Sequence, residues 1–301
     1  MTAFDVVTSL TASELFGTEL SLLSLPDWEK VLECAHEQGV VAICYEAVKR
    51  LPTELQPDFA MTLRWDVSAE EVKNSFEERR KVKEHLRDLF STIGERMLLL
   101  KGETLADHYP HPEMRECGDI DIMLPEGYEK GNSLVESKGI EVDCSNSKHT
   151  AFFYEGEDVE LHDPVPHPSY NRNDYLTECL VSESMDEAVL RPDGCWELSP
   201  LVMAVHAVNH IALHLYMGEK VPLKMLADIV LLLKAHPEVQ KEWRPALDRT
   251  GLTKFSRTVL GAMDALFSTT FSGSTGDDRF IKLYVRQEGT KLSRILGKYR
   301  Y

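Results

Sequence analysis

The sequence has no cysteine pair at the spacing of a metal site and no long apolar run. Its six cysteines are scattered without a CxxC pair, so we expect reduced thiols rather than disulfides or a zinc site. No stretch approaches the roughly 18 apolar residues of a spanning helix. The first residues, MTAFDVVTSLTASELFG, lack the basic start and apolar run of a signal peptide. These absences predict a cytoplasmic protein without a membrane partner.

Basic residues are also in short supply. The chain has 33 lysines and arginines against 50 aspartates and glutamates, which gives a formal net charge of -17. A chain this acidic repels phosphate backbones at long range, so we expect no nonspecific binding of nucleic acid. A small anionic substrate would therefore need a local basic site or a metal ion.

The 301 residues contain no internal repeat or long linker, and three regions differ in pattern. Residues 1–94 are predicted to be helical, with a long amphipathic helix over residues 67–93. Residues 95–190 alternate short strands and helices, which is typical of a compact α/β core. Residues 191–301 are again helical and end in a basic tail. We expect this tail to be a solvated amphipathic helix, with an electrostatic guide for nucleotide or a contact for an acidic partner as alternatives. The predicted fold class is α+β, a small mixed β-sheet core flanked by N-terminal and C-terminal helical regions.

Two aspartates on one predicted strand are the most informative feature. Strands are expected over residues 96–100, 118–124, 151–154 and 158–162. Asp119 and Asp121 stand two positions apart on the second of these, so their side chains point to the same face, about 7 Å apart along the chain. Two carboxylates this close repel unless a cation joins them, and oxygen ligands suit Mg²⁺ or Mn²⁺. The pattern predicts a metal site.

Further motifs make the pattern specific. They are LLKG at residues 99–102, Tyr109, Arg115, GDID at residues 118–121, Lys148-His149 and ELH at residues 160–162. Over residues 27–235 the sequence resembles a branch of uncharacterised bacterial nucleotidyltransferases within the superfamily typified by DNA polymerase β. The resemblance implies transfer of a nucleoside monophosphate, AMP from ATP in the first instance, onto a hydroxyl of an unknown small-molecule or protein acceptor. Pyrophosphate would leave.

The resemblance also implies roles for particular residues. Asp119, Asp121 and Glu160 would be catalytic and would hold two Mg²⁺ ions, or Mn²⁺, on a bound nucleoside triphosphate. Lys101, Gly102, Arg115 and Gly118 would contact the nucleotide. In the wider superfamily a serine follows the glycine and touches the triphosphate, whereas here Glu103 occupies that position. Lys101 or the fork of Arg115 would then supply the positive charge.

Several alternatives stay open at this level. Asp163 would replace Glu160 as third acid if the strand register were shifted, and His162 would orient Glu160 or cap the strand. Lys148 and His149 fit a substrate contact or a solvated loop equally well. A glycosyltransferase, which also uses Asp-x-Asp, is a second enzyme hypothesis. A non-catalytic binding or regulatory module is a third, favoured by the missing serine.

One apolar helix after Pro200 carries three histidines at intervals of four residues. His206, His210 and His214 are predicted to form a packed or substrate-facing ridge rather than a zinc site, since three such ligands rarely surround one ion. Asp228 lies in a second apolar stretch, where an unpaired carboxylate is costly to bury. We expect it to bond a histidine such as His210.

Overall fold

The computed structural model describes residues 1–20, 22, 24–168, 171–271, 280, 281 and 285. The predicted basic tail lies almost wholly outside these residues. Within the described part, four helices precede the sheet: α1 (Ala3–Phe16), α2 (Trp28–Glu37), α3 (Val41–Lys49) and α4 (Phe59–Ser91). Helix α4 begins earlier than the predicted residue 67, because the side chain of Asp58 accepts a hydrogen bond from the Met61 amide and caps it there.

The middle of the chain forms most of a mixed sheet. Its elements are β1 (Leu98–Leu99), α5 (Glu103–Ala106), β2 (Ile120–Met123), α6 (Tyr128–Ser137), β3 (Val142–Asp143), β4 (His149–Tyr154) and β5 (Glu157–His162). All four predicted strands are present. His149 opens β4, so it lies on a strand and not in a solvated loop.

Residues 171–271 are mostly helical and contain one small hairpin. Their elements are α7 (Arg172–Glu183), β6 (Val189–Leu190), β7 (Trp196–Glu197), α8 (Pro200–Met217), α9 (Leu223–Ala235), α10 (Val239–Thr250) and α11 (Thr253–Phe267). Strand β7 lies beyond the predicted core boundary at residue 190 and pairs in parallel with β1. In the part of the chain that the structure describes, seven strands have the order β3-β4-β5-β2-β1-β7-β6. The predicted α+β class with helical flanks is confirmed.

Successive side chains of β2 point to opposite faces of the sheet, each of which packs on an apolar core, and this alternation positions the site. Ile120 and Ile122 are buried with Leu86 and Phe90 of α4 on one face of the sheet. Asp121 therefore points to the opposite face, towards the C-terminal helices. On that side a larger core joins the first helices to α8, α9 and α11. Asp121 is thus placed where the sheet meets the C-terminal helices.

Among the described residues, one helix has the length and hydropathy to cross a membrane. Helix α8 has a mean hydropathy of 1.2, and 44% of it is buried inside the protein. The expectation that no segment approaches spanning length was therefore too strong. The helix packs against α7, α9 and α10, so its apolar side chains have a place in the core.

Candidate active site

Strand register brings three predicted carboxylates together. Asp121 on β2 lies directly beside Glu160 on the parallel strand β5, and Asp119 precedes Asp121 by two positions. One carboxylate oxygen from each of the three lies within 4.8 Å of the others. In the described part of the chain, Asp163 does not join this group. The arrangement can hold a hard divalent cation through oxygen.

Lys101 holds a positive charge between the aspartates. Its Nζ lies 3.1 Å from Asp121 Oδ1 and 3.6 Å from Asp119 Oδ1. Burial alone would raise the pKa of Asp121, but Lys101 and His162 outweigh it and hold that pKa below its ordinary value. Burial and repulsion from Asp121 raise the pKa of Asp119. Asp121 is thus firmly anionic, and its buried Oδ2 has no hydrogen-bond partner among the described residues.

Two histidines continue this charged row across the sheet. His162 Nε2 lies 3.1 Å from Asp121 Oδ1 and 3.4 Å from Glu160 Oε2. Burial opposes protonation, but the hydrogen bond to Asp121 and the negative charge of Glu160 raise the pKa of His162 to about 9. His149 lies opposite His162 in the β4–β5 pair. Burial lowers the pKa of His149, so the two imidazoles differ in charge.

The glycine turn after β1 faces the carboxylates. Gly102 has φ +76°, a conformation that L side chains rarely adopt. The next side chain, Glu103, turns to a buried network, where its Oε1 accepts hydrogen bonds from Lys83 (2.6 Å) and Arg191 (3.0 Å). Glu103 therefore fastens the turn to α4 and the β6–β7 hairpin. Its side chain does not take the place of the serine found in the superfamily that the sequence resembles.

Arg115 binds an aspartate rather than presenting a free fork to phosphate. Its Nε and Nη2 donate to the two oxygens of Asp228 at 2.7 Å each, and Tyr109 Oη donates to Asp228 Oδ1 at 2.7 Å. The prediction that Asp228 bonds a histidine such as His210 is wrong, because three donor groups of Arg115 and Tyr109, in the segment before β2, occupy the carboxylate. The Arg115–Asp228 ion pair connects the segment that leads to Gly118 with α9.

Two cavities meet at the carboxylates. One, of about 370 Å³, is lined by Gly102, Gly118, Asp119 and Lys224 among others. The second, of about 610 Å³, is lined by Glu160 and by residues of β4, β5 and α7. Lys101, Asp121 and the three histidines of α8 line both. The histidine ridge therefore faces the site, and no group of metal ligands involving it occurs among the described residues.

Lys148, an open candidate for substrate contact, binds two carboxylates of α7. It forms ion pairs with Asp174 and, at 2.7 Å, with Glu178. Asn209 of α8 also donates to Asp174 (3.1 Å). These contacts close one wall of the larger cavity. The sequence gives no signal for them, since the partners come from separate elements.

Replacing Lys101 with methionine should strengthen cation binding in the absence of nucleotide. The ammonium competes with a divalent ion for Asp119 and Asp121, and like charges this close repel. We expect about tenfold tighter Mn²⁺ binding, equal to roughly 1.4 kcal/mol, measured by the loss of the free-ion EPR signal. Unchanged or weaker binding in Lys101→Met would show that the lysine does not occupy the cation's position.

Comparison with known proteins identifies a family. The model of a family described as uncharacterised nucleotidyltransferase matches residues 24–268, which extends the resemblance seen in the sequence to α10 and α11. Searches of curated proteins and of solved structures find no match. The match covers most of the chain and includes every residue of the carboxylate group. The chain therefore belongs to the uncharacterised nucleotidyltransferase family and is an enzyme of nucleotidyl transfer.

Proposed function

We propose that the enzyme transfers a nucleoside monophosphate, AMP from ATP in the first instance, to a hydroxyl of a small-molecule or protein acceptor. The observation that carries this proposal is the convergence of Asp119, Asp121 and Glu160 within 4.8 Å, where two cavities meet. The acceptor oxygen would attack the α-phosphorus, and the bond to the leaving pyrophosphate would break. The acceptor proton would pass to Glu160.

The residues present fit the Mg²⁺ or Mn²⁺ ions that such a reaction uses. All three side chains offer oxygen, the donor that these ions prefer. The Asp121 side chain is 1% exposed, and its Oδ2 has no partner in the described chain. A buried oxygen without a hydrogen-bonding partner costs free energy unless a further group binds it. Bound there, the ions would neutralise charge on the phosphates and activate the acceptor hydroxyl.

The two cavities suggest where each substrate lies. We assign the triphosphate to the smaller one, because Gly102, Gly118 and Lys224 line it and no acid of α7 does. Lys101 would move from the aspartates to the phosphates when cations bind. We assign the acceptor to the larger cavity, because Glu160 lines it and not the smaller one.

We also place the chain in the superfamily typified by DNA polymerase β. The order of its elements supports this: a strand, a glycine turn, a helix and then a strand that carries Asp-x-Asp.

Nucleotide binding that depends on Mg²⁺ is the first test. Thermal unfolding with ATP, GTP, CTP or UTP, each with and without Mg²⁺, should show stabilisation of roughly 2.7 kcal/mol at about 100 times Kd, or a few degrees. Asp119→Asn should lose the Mg²⁺-dependent part. No shift with any nucleotide, or an equal shift in the variant, would contradict the proposed site.

The non-catalytic binding module that the sequence left open disagrees with the family match, and the orientation of Glu103 is the observation in its favour. Because that side chain is held by Lys83 and Arg191, the serine contact of the wider superfamily has no counterpart. Nucleotide binding without any release of pyrophosphate, across extracts that supply acceptors, would support this module. The glycosyltransferase alternative is set aside by the family match.

A further inference from the structure

A second group of metal-ligating atoms lies next to the oxygen cluster. It consists of His149, Glu160 and His162. His149 and His162 are direct neighbours across the antiparallel β4–β5 pair, and Glu160 precedes His162 by two positions. All three side chains therefore project from the same face of the sheet. They also line the larger cavity, which gives an ion a path of entry.

The distances within this group match those between ligands of one ion. His149 Nε2 lies 3.4 Å from Glu160 Oε1, and His162 Nε2 lies 3.4 Å from Glu160 Oε2. Both separations exceed the usual 2.7–3.2 Å of an N–H···O hydrogen bond. Two ligands about 2.1 Å from a tetrahedral ion stand about 3.4 Å apart. A single cation can therefore contact both imidazoles and the carboxylate with small movements.

We propose that His149, Glu160 and His162 form a binding site for one divalent transition-metal ion of the Zn²⁺ class. Imidazole nitrogen favours such ions, whereas Mg²⁺ prefers an all-oxygen shell. Three protein ligands leave a coordination position open towards the cavity, the pattern of a catalytic rather than a structural site. The site goes beyond the proposed function, which requires only oxygen-bound ions.

Glu160 connects the two groups, because its carboxylate belongs to both. The competing account is a purely hydrogen-bonded row, in which His162 donates to Asp121 at 3.1 Å and no ion binds. The same Nε2 cannot donate to Asp121 and ligate a metal at once. Metal binding must therefore release that proton and break that hydrogen bond.

Metal titration without nucleotide separates these accounts. The 301-residue chain, stripped of metal with a chelator, is titrated with Zn²⁺ by calorimetry in excess Mg²⁺, and with Co²⁺ by visible absorption. We expect one tightly bound Zn²⁺ per chain and the absorption of nitrogen-ligated Co²⁺. His149→Gln should weaken Zn²⁺ binding by about 100-fold or more, since even a residue that only orients a metal ligand is worth 10–100-fold. The Co²⁺ absorption should disappear with it.

Two control variants make the result specific. His167 lines the same cavity but bonds Asp163 at 2.8 Å, so His167→Gln should bind Zn²⁺ as the wild type does. Asp119→Asn removes an oxygen ligand outside the histidine group and should also keep Zn²⁺. No tight Zn²⁺ binding, or binding unchanged in folded His149→Gln and His162→Gln, would overturn the proposal. Either result leaves Mg²⁺-dependent nucleotide binding as a separate measurement, so the two proposals fail independently.

Discussion

Replacing Asp121 with asparagine is expected to reduce nucleotidyl transfer by at least about 10³-fold, the upper range for loss of one preorganised electrostatic contact. Asp121 is the member of the carboxylate group that Lys101 and His162 hold in the charged form. Asparagine keeps the shape but removes the charge that binds a cation. The measurement is Mg²⁺-dependent transfer of label from α-³²P-ATP to the small-molecule and protein fractions of a cell extract.

Asp163→Asn is the matched control for this experiment. Asp163 lines the larger cavity and is held by His167 and by the Val165 amide, outside the carboxylate group. Its loss should leave transfer within a few-fold of wild type, and thermal unfolding should confirm that both variants fold. If Asp121→Asn retains transfer while Asp163→Asn loses it, the assignment of the acids is wrong and the reaction centre lies nearer β5's end.

The carboxylate group was predictable because it depends on local periodicity. Asp119 and Asp121 face one way wherever a strand forms, and a third acid on a neighbouring strand needs only parallel pairing. The alternation of Glu160 and His162 follows the same rule. What the pattern could not give was the partner of each strand, so the meeting of His149 with His162 came from the β4–β5 register. Nothing in the sequence shows that His149 begins a strand rather than lying in a loop.

Contacts between distant elements were the least predictable. Asp228 was expected to bond a histidine, because a buried carboxylate needs a hydrogen-bonding partner. It does have partners, but they are not histidines. Three donors from Tyr109 and Arg115 satisfy it, and they lie more than a hundred residues earlier in the chain. Short strands such as β6 and β7 have too few residues to show a period. Their role at the sheet edge depends on pairing with β1.

Replacing Asp228 with asparagine is expected to lower the free energy of unfolding by about 3–5 kcal/mol, the usual cost of breaking a buried ion pair from one side. Asp228 is 2% and Arg115 6% exposed. The variant leaves the guanidinium charge buried without its counter-ion, although the amide can still accept from Tyr109. Urea unfolding of the purified protein measures the change.

Two comparisons decide whether charge burial is the cause. Arg249 and Glu183 form an ion pair with half-exposed side chains, so Glu183→Gln should cost less than about 1 kcal/mol. The double variant Arg115→Met/Asp228→Leu removes both charges and should recover most of the loss, because apolar replacements of buried ion pairs are often neutral. A loss of similar size in the double variant would instead assign the cost to Tyr109 and local packing. A loss below 1 kcal/mol in Asp228→Asn would show that the buried guanidinium of Arg115 does not depend on Asp228 for its stability. In that case its fork is free to turn to the phosphates, as the sequence resemblance first implied.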